Sequence, residues 1–266
     1  MRHTLRMATT LAIEQHLAAL ARAGSALVEH VERAGDGATV PTCPAWTARH
    51  LLAHQATIHR WATSHVRGDD PAEPSEESLA AGQTDLPGYY RSGLDALLEA
   101  LEAAPVDLQA VTFLNDAPPP RAFWARRQAH ETTIHAVDAV AAVLGRTPSS
   151  AEAAEAAGID AELALDGIDE LLAGFLTRNR YPRLAAQDRL SLAVSPTDAA
   201  EVWLVDADEH LAAVRVSSAT VPSRADAEIS GTAVQLYLGL WNRGTEISAG
   251  DRPDVIDLWR GTQRVR

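Results

Sequence analysis

Apolar residues recur along the first half of the chain at the spacing of one helix face, in four runs separated by glycine- and proline-bearing breaks. In the first run, from Thr10 to about Arg33, the stripe is Ile13, Leu17, Leu20, Gly24, Leu27 and Val31. Gly35, Gly37 and Pro41 end it, and Pro44-Ala-Trp-Thr47 leads into a second helix that runs to about Arg67. On that helix Thr47, His50, Leu51, Ile58, Trp61 and His65 fall within about 60° of the direction of His54, whereas His59 points about 140° away. His54 is therefore expected at the centre of the inward stripe. The acidic, proline-bearing stretch from Gly68 to Glu77 predicts a surface loop. A third helix carries Leu86, Tyr90, Leu94, Leu97, Leu98 and Leu101 and ends near Pro105. After the break at Asn115-Asp-Ala-Pro-Pro-Pro120, a fourth helix occupies about Ala122 to Leu144.

Gly145 to Ser150 closes this half, and an alanine- and glutamate-rich stretch leads to a helix from Ile159 to about Thr177. The pattern then changes to short strand-like runs between turn residues: Leu190–Val194, Glu201–Val205, Leu211–Val216 and Ala227–Ile229. Thr232 to Asn242 and Pro253 to Thr262 return to helical spacing. Two domains are expected: an all-α four-helix bundle over residues 1–150 and a small α+β domain over residues 151–266.

A chain of 266 residues is long enough to bury two cores. It carries 23 basic against 36 acidic side chains, a net charge of −13, and every basic residue other than histidine is arginine. With its abundant alanine, this composition fits a genome of high GC content. An acidic surface without a basic block argues against a nucleic-acid partner or an anionic membrane. Cys43 is the only cysteine, which rules out an intrachain disulfide and a cysteine-rich zinc site and fits a cytoplasmic protein. Arg2 and Arg6 precede a stretch broken by Glu14, Gln15 and His16, so it reads as a helix rather than a signal peptide. No run approaches ~20 apolar residues, so no transmembrane segment is expected.

The chemistry concentrates in Arg127-Gln-Ala-His-Glu-Thr-Thr-Ile-His135. Glu131 and His135 stand one turn apart and, with Asp138 and Ala142, lie within about 40° of the direction of Trp124. Charged groups on a buried face need partners. His130 lies about 140° round the helix from His135, which rules out a His-Glu-x-x-His zinc motif. His54, Glu131 and His135 could hold one divalent metal with a fourth position open, since two histidines and a carboxylate are a common catalytic zinc set. The alternative leaves His54 a core histidine and Glu131 ion-paired with Arg127. Cys43, eleven residues before His54 or ~16 Å along a helix, is expected as a turn residue away from the metal. Trp46, Trp61 and Trp124 could line a pocket, but tryptophans at helical spacing are more often core, and the core is expected for them. Arg243 could bind a substrate carboxylate through its planar fork.

Thr42-Cys-Pro-Ala-Trp-Thr-Ala-Arg-His-Leu-Leu-Ala-His54, followed by His130-Glu-Thr-Thr-Ile-His135, resembles the N-terminal domain of mycothiol-dependent maleylpyruvate isomerases, which are DinB-like metal-binding bundles. Ala164–Leu172 and Gly231–Arg243 resemble the family's sterol-carrier-protein-like C-terminal domain. The resemblance implies a metal held by His54, Glu131 and His135, with zinc the expected ion and mycothiol the thiol co-substrate. Where relatives carry an acidic residue, this chain has His50. The implied reaction is isomerisation of maleylpyruvate to fumarylpyruvate by thiolate addition, bond rotation and release, or transfer of the thiol to another electrophile. The expected partners are therefore small molecules only, with the site opening toward the second domain and Arg243 holding the substrate. The competing reading is a non-catalytic protein that encloses a small apolar ligand beside a structural metal.

Overall fold

The computed structural model describes residues 11–70, 74–178, 190–207, 212–217 and 225–262. Thr10, the start of the third strand-like run at Leu211, and Arg2 and Arg6 lie outside the described residues. By its internal contacts the chain divides into two compact units. Among the described residues, one comprises residues 11–112 and 119–159, and the other residues 113–118 and those from 160 onward.

The first unit is helical. Its helices are α1 (Ile13–Ala34), α2 (Ala48–Arg67), α3 (Glu76–Gly82), α4 (Leu86–Ala103), α5 (Pro120–Leu144) and α6 (Ser150–Ala157). α3 lies at the end of the stretch expected to be loop. It is a short helix capped by Ser75, whose hydroxyl accepts from the Ser78 N–H at 3.2 Å, and is anchored by the buried Leu79. α2 ends at Gly68 and α5 at Gly145, both with φ in the left-handed region where a glycine stops a helix without strain.

The core is built from Leu20 and Leu27 of α1, Leu51 and Leu52 of α2, Tyr90 and Leu97 of α4, and Phe123 and Trp124 of α5. α1 and α4 meet at Gly24, whose carbonyl accepts from the Tyr90 hydroxyl at 3.2 Å. A Cβ there would lie 2.5 Å from Leu94 Cδ2, so any larger residue would force the buried Leu94 side chain to shift. Within α5 the buried set runs from Phe123 to His130 and from Thr132 to Ala142, so nearly every side of this helix is covered.

The buried face of α2 differs from the expected stripe. It keeps Leu51 of that stripe but runs through Leu52, Gln55, Ala56, His59, Ala62, Thr63 and Val66, with His59 fully buried and His54 at its edge. Small residues set this face: Ala53, Ala56 and Ala62 let α2 sit close to its neighbours. Of the stripe expected around His54, Thr47, Ile58, Trp61 and His65 are only part-buried and His50 is exposed.

In the second unit, α7 (Ala161–Asp169) is followed by a π-helical turn at Glu170–Phe175 and a 3-10 turn at Leu176–Arg178. The sequence pattern reads all of this as one helix. β1 (Leu190–Pro196), β2 (Glu201–Ala207), β3 (Ala212–Ser217) and β4 (Ala227–Gly231) form a sheet in the order β3-β2-β1-β4. β1 pairs antiparallel with β2, with Val194 opposite Trp203, and parallel with β4, with Val194 opposite Ile229. α8 (Ala233–Leu240) and α9 (Pro253–Thr262) complete the α+β unit. The Trp203 indole donates to Asp169 at 2.9 Å, and that of Trp259 to the Leu240 carbonyl at 2.9 Å. Among the described residues no helix is long and apolar enough to cross a membrane.

His59 Nε2 lies 2.9 Å from Thr132 Oγ1 and 3.0 Å from Gln55 Nε2, and burial pushes its pKa from 6.5 down to about 3. The unfolded chain thus takes up this proton near pH 6.5, and the folded chain only near pH 3. Stability contributed by the neutral ring is full above pH 6.5 and is lost as the pH falls toward 3, at up to ~1.4 kcal/mol per pH unit. Urea unfolding followed by helical circular dichroism should show His59→Leu losing one proton from the pH dependence of stability between pH 6.5 and 4. Equal slopes for the two proteins would contradict the assignment.

Candidate metal centre

The loop before α2 folds back on itself. Thr39 and Thr47 form an antiparallel bridge, the Cys43 N–H donates to Val40 O, and the Trp46 N–H donates to Cys43 O. Thr47 caps α2: its hydroxyl accepts from the His50 N–H at 3.5 Å, while His50 Nδ1 accepts from the Thr47 N–H at 3.3 Å. A glutamate or glutamine usually fills that reciprocal role. Here an exposed imidazole does, and its Nδ1, also 2.8 Å from the Thr47 hydroxyl, is engaged with the helix cap.

His54, one and a half turns into α2, meets Glu131 and His135 of α5. Glu131 Oε1 is 3.5 Å from His54 Nε2 and 3.3 Å from His135 Nε2, and the two imidazoles stand edge to face with centroids 5.0 Å apart. One donor atom from each residue falls within 4.8 Å of the other two. The other Glu131 oxygen accepts from Arg127 at 3.0 Å. The ion pair with Arg127 and the convergence on two histidines thus occur together, each using one carboxylate oxygen.

The far side of each imidazole is also held by a carboxylate. His135 Nδ1 is 2.9 Å from Asp138 Oδ2, and His54 Nδ1 is 2.8 Å from Glu76 Oε1 on α3. A carboxylate only accepts, so both Nδ1 atoms carry protons, and the two Nε2 atoms both point at Glu131 Oε1. Asp138 is fully buried and also accepts from the Thr42 hydroxyl at 2.6 Å and the Cys43 thiol at 3.4 Å. Because helix begins only at Ala48, the turn returns Cys43 to within one residue of a candidate ligand. Trp46 is not a core residue: it is part-exposed, and its ring lies 4.8 Å from that of His54 and 5.8 Å from that of His135.

Electrostatics follow from this packing. Burial alone would lower the pKa of His54, but its hydrogen bonds to Glu131 and Glu76 outweigh burial and push it up to about 9. Burial would raise Glu131, yet the hydrogen bonds from His135 and His54 and the charge of Arg127 hold it well below the usual carboxylate range. His54 holds Glu76 below that range as well. At neutral pH a proton on His54 supplies the positive charge between the two glutamates, and a metal entering there would displace it.

The other candidates lie elsewhere. His59 sits among Gln55, Thr132 and Tyr90, and His130 pairs edge-on with His16 at 6.2 Å, both fully buried. Trp124 is a fully buried core residue against Trp61 and His65. Arg243 belongs to the α+β unit, where its buried guanidinium donates to the Trp241 carbonyl at 3.0 Å. Sequence reasoning missed Glu76, Trp46 and the role of Asp138. Only Asp138 left a signal, its i+3 spacing from His135.

Two imidazole nitrogens and a carboxylate oxygen suit a divalent cation. A family model described as the mycothiol maleylpyruvate isomerase N-terminal domain matches residues 17–140, and one described as the MDMPI C-terminal domain matches residues 162–256. Among solved structures, the chain is similar to a crystal structure of a histidine-to-alanine variant of the mycothiol-dependent maleylpyruvate isomerase. The TM-score is 0.60 at 15% identity, covering 90% of this chain and 93% of that one. The unsubstituted isomerase gives a TM-score of 0.58 at 15% identity with the same coverage. At such identity the likeness speaks to the fold. No curated protein matches this sequence. With one domain model over the helical half and its companion over the α+β half, this chain belongs to the mycothiol-dependent maleylpyruvate isomerase family.

Proposed function

We propose that this protein is a metal-dependent enzyme that uses a low-molecular-weight thiol, mycothiol, and isomerises maleylpyruvate or a similar conjugated electrophile. Transfer of the thiol to other electrophiles is the related activity the same centre would serve. One observation carries the reading: His54 Nε2, His135 Nε2 and Glu131 Oε1 converge while each Nδ1 is anchored on a separate carboxylate. That arrangement is the usual outer shell of a histidine-ligated metal. Family membership supports the thiol and the isomerase chemistry. The donor set supports zinc. A low-molecular-weight thiol stays reduced in the cytoplasm, where we place the protein.

A divalent cation held by His54, Glu131 and His135 would supply the charge that keeps a thiol sulfur deprotonated at neutral pH. The chain's own residues do the positioning. Arg127 holds one Glu131 oxygen so that the other faces the imidazoles, Asp138 and Glu76 fix the ring orientations, and Trp46 covers both rings. In the isomerisation a C–S bond forms at one alkene carbon and the π pair moves onto the conjugated carbonyl. The resulting single bond rotates, and the returning pair expels the sulfur. Arg243 is the residue we assign to a substrate carboxylate, because its planar fork of donors matches that group.

Purified protein should contain close to one zinc per chain by elemental analysis. His54→Ala, Glu131→Ala or His135→Ala should each abolish that content while leaving helical circular dichroism intact. His59→Asn and His130→Asn should retain it, and loss of metal in either would move the centre elsewhere. With mycothiol and maleylpyruvate, conversion to fumarylpyruvate should proceed with no net consumption of thiol. Metal-loaded protein inactive on every conjugated electrophile tried would favour a binding role. Arg243→Ala should keep its zinc and lose turnover or raise KM about a hundredfold with a dicarboxylate, on the scale of a charge-assisted bidentate contact. Unchanged kinetics would remove it from the site.

A further inference from the structure

The two outer carboxylates differ in how they are held. Asp138 is fully buried in α5, three residues from His135, and has three donors. Glu76 is half-exposed and stands 22 residues from His54 on the seven-residue α3, bonded to His54 through a single oxygen. An isolated helix of that length is unstable in water, so α3 must be held from outside.

Arg49 holds it. This residue lies on α2, five positions before His54. Its Nε donates to the Ala80 carbonyl and its Nη2 to the Gln83 carbonyl, both at 2.5 Å, while Nη1 donates to Asp36 at 2.7 Å. The carbonyls at the end of a helix lack partners within it, and a guanidinium there meets both the hydrogen-bond need and the negative end of the helix dipole. Leu79, the buried residue of α3, anchors the helix as well. Arg49 and Glu76 thus bracket α3, one clamping its end and the other reaching the candidate ligand from its start.

We propose that Glu76 is a positioning residue for His54, and that Arg49 acts through it by clamping α3 against α2. The assignment rests on the reading of His54, Glu131 and His135 as metal ligands. The His135 arm of the centre is locked within one helix, whereas the His54 arm depends on α3 being docked. Metal affinity is then coupled to a clamp on the protein surface.

Zinc affinity of the full chain can be measured by competition with a chromophoric chelator, together with the downfield Nδ1–H resonance of His54 in the zinc-loaded protein. Glu76→Gln should weaken zinc binding about 10- to 100-fold, the range for outer-shell partners of ligating histidines, and shift or abolish that resonance. The resonance of His135 should stay in place. Glu76→Asp should restore part of the affinity, and Glu77→Gln, a change at the next residue of α3, should have no effect. Arg49→Met should weaken binding in the same direction, and the double variant Arg49→Met/Glu76→Gln should be no weaker than Glu76→Gln alone. If the unsubstituted protein binds zinc through His54 and Glu76→Gln binds it equally well with the resonance unmoved, the inference is overturned and the metal centre stands. If the unsubstituted protein takes up no zinc, the metal reading itself fails and this inference with it.

Discussion

Charged carboxylates on the covered side of a helix need partners, and this constraint organises the first unit. Asp138 is fully buried and Glu131 largely so, both on a helix with little exposed surface. Leaving either ionised and unpaired would cost several kcal/mol, enough to threaten a fold of ordinary stability. Each is satisfied in a directional way. Asp138 takes donors from Thr42, Cys43 and His135, and Glu131 takes Arg127 on one oxygen and faces two imidazoles with the other. The same contacts that make these carboxylates tolerable aim two imidazole nitrogens at a common point.

The bundle around them gives that point its rigidity. Trp124 and Phe123 fill the core beside α5, and Gly24 lets α1 and α4 approach closely. On α2 the buried Gln55 and His59 bond Thr132 of α5, and His54 sits at the margin of that contact. A histidine at that margin can face a ligand on one side while its other nitrogen reaches a half-exposed partner. His59, one turn later on the covered face, is enclosed too completely for either. Burial accordingly depresses its pKa, whereas the acidic neighbours of His54 raise that of His54.

The acidic composition of the chain sits beside a local arrangement of opposite character. The chain carries a net charge of −13, yet Arg127 lies against Glu131, and Arg49 and Arg243 direct guanidinium groups at backbone carbonyls. Arginine suits these sites because its planar fork makes several bonds at once and its charge does not titrate near neutral pH. An exclusively arginine cation set therefore has structural uses here beyond its origin in base composition.

Much of this was legible in the sequence. Helical periodicity marked α1, α2, α4 and α5 to within a few residues, because a helix that must bury one face writes that face every three or four positions. The strand runs and the change of composition marked the α+β half in the same way. The pairing of Glu131 with His135 was readable because one helix turn separates them, and His54 could be joined to them through family resemblance. The buried face of α2 was not legible because alanine carries a weak apolar signal, yet Ala48, Ala53, Ala56 and Ala62 are all fully buried. Glu76, Trp46 and the clamp by Arg49 left no periodic trace. They reach the site from a short helix and a turn whose positions are decided by hydrogen bonds between residues far apart in the chain, and only the folded structure brings those partners together.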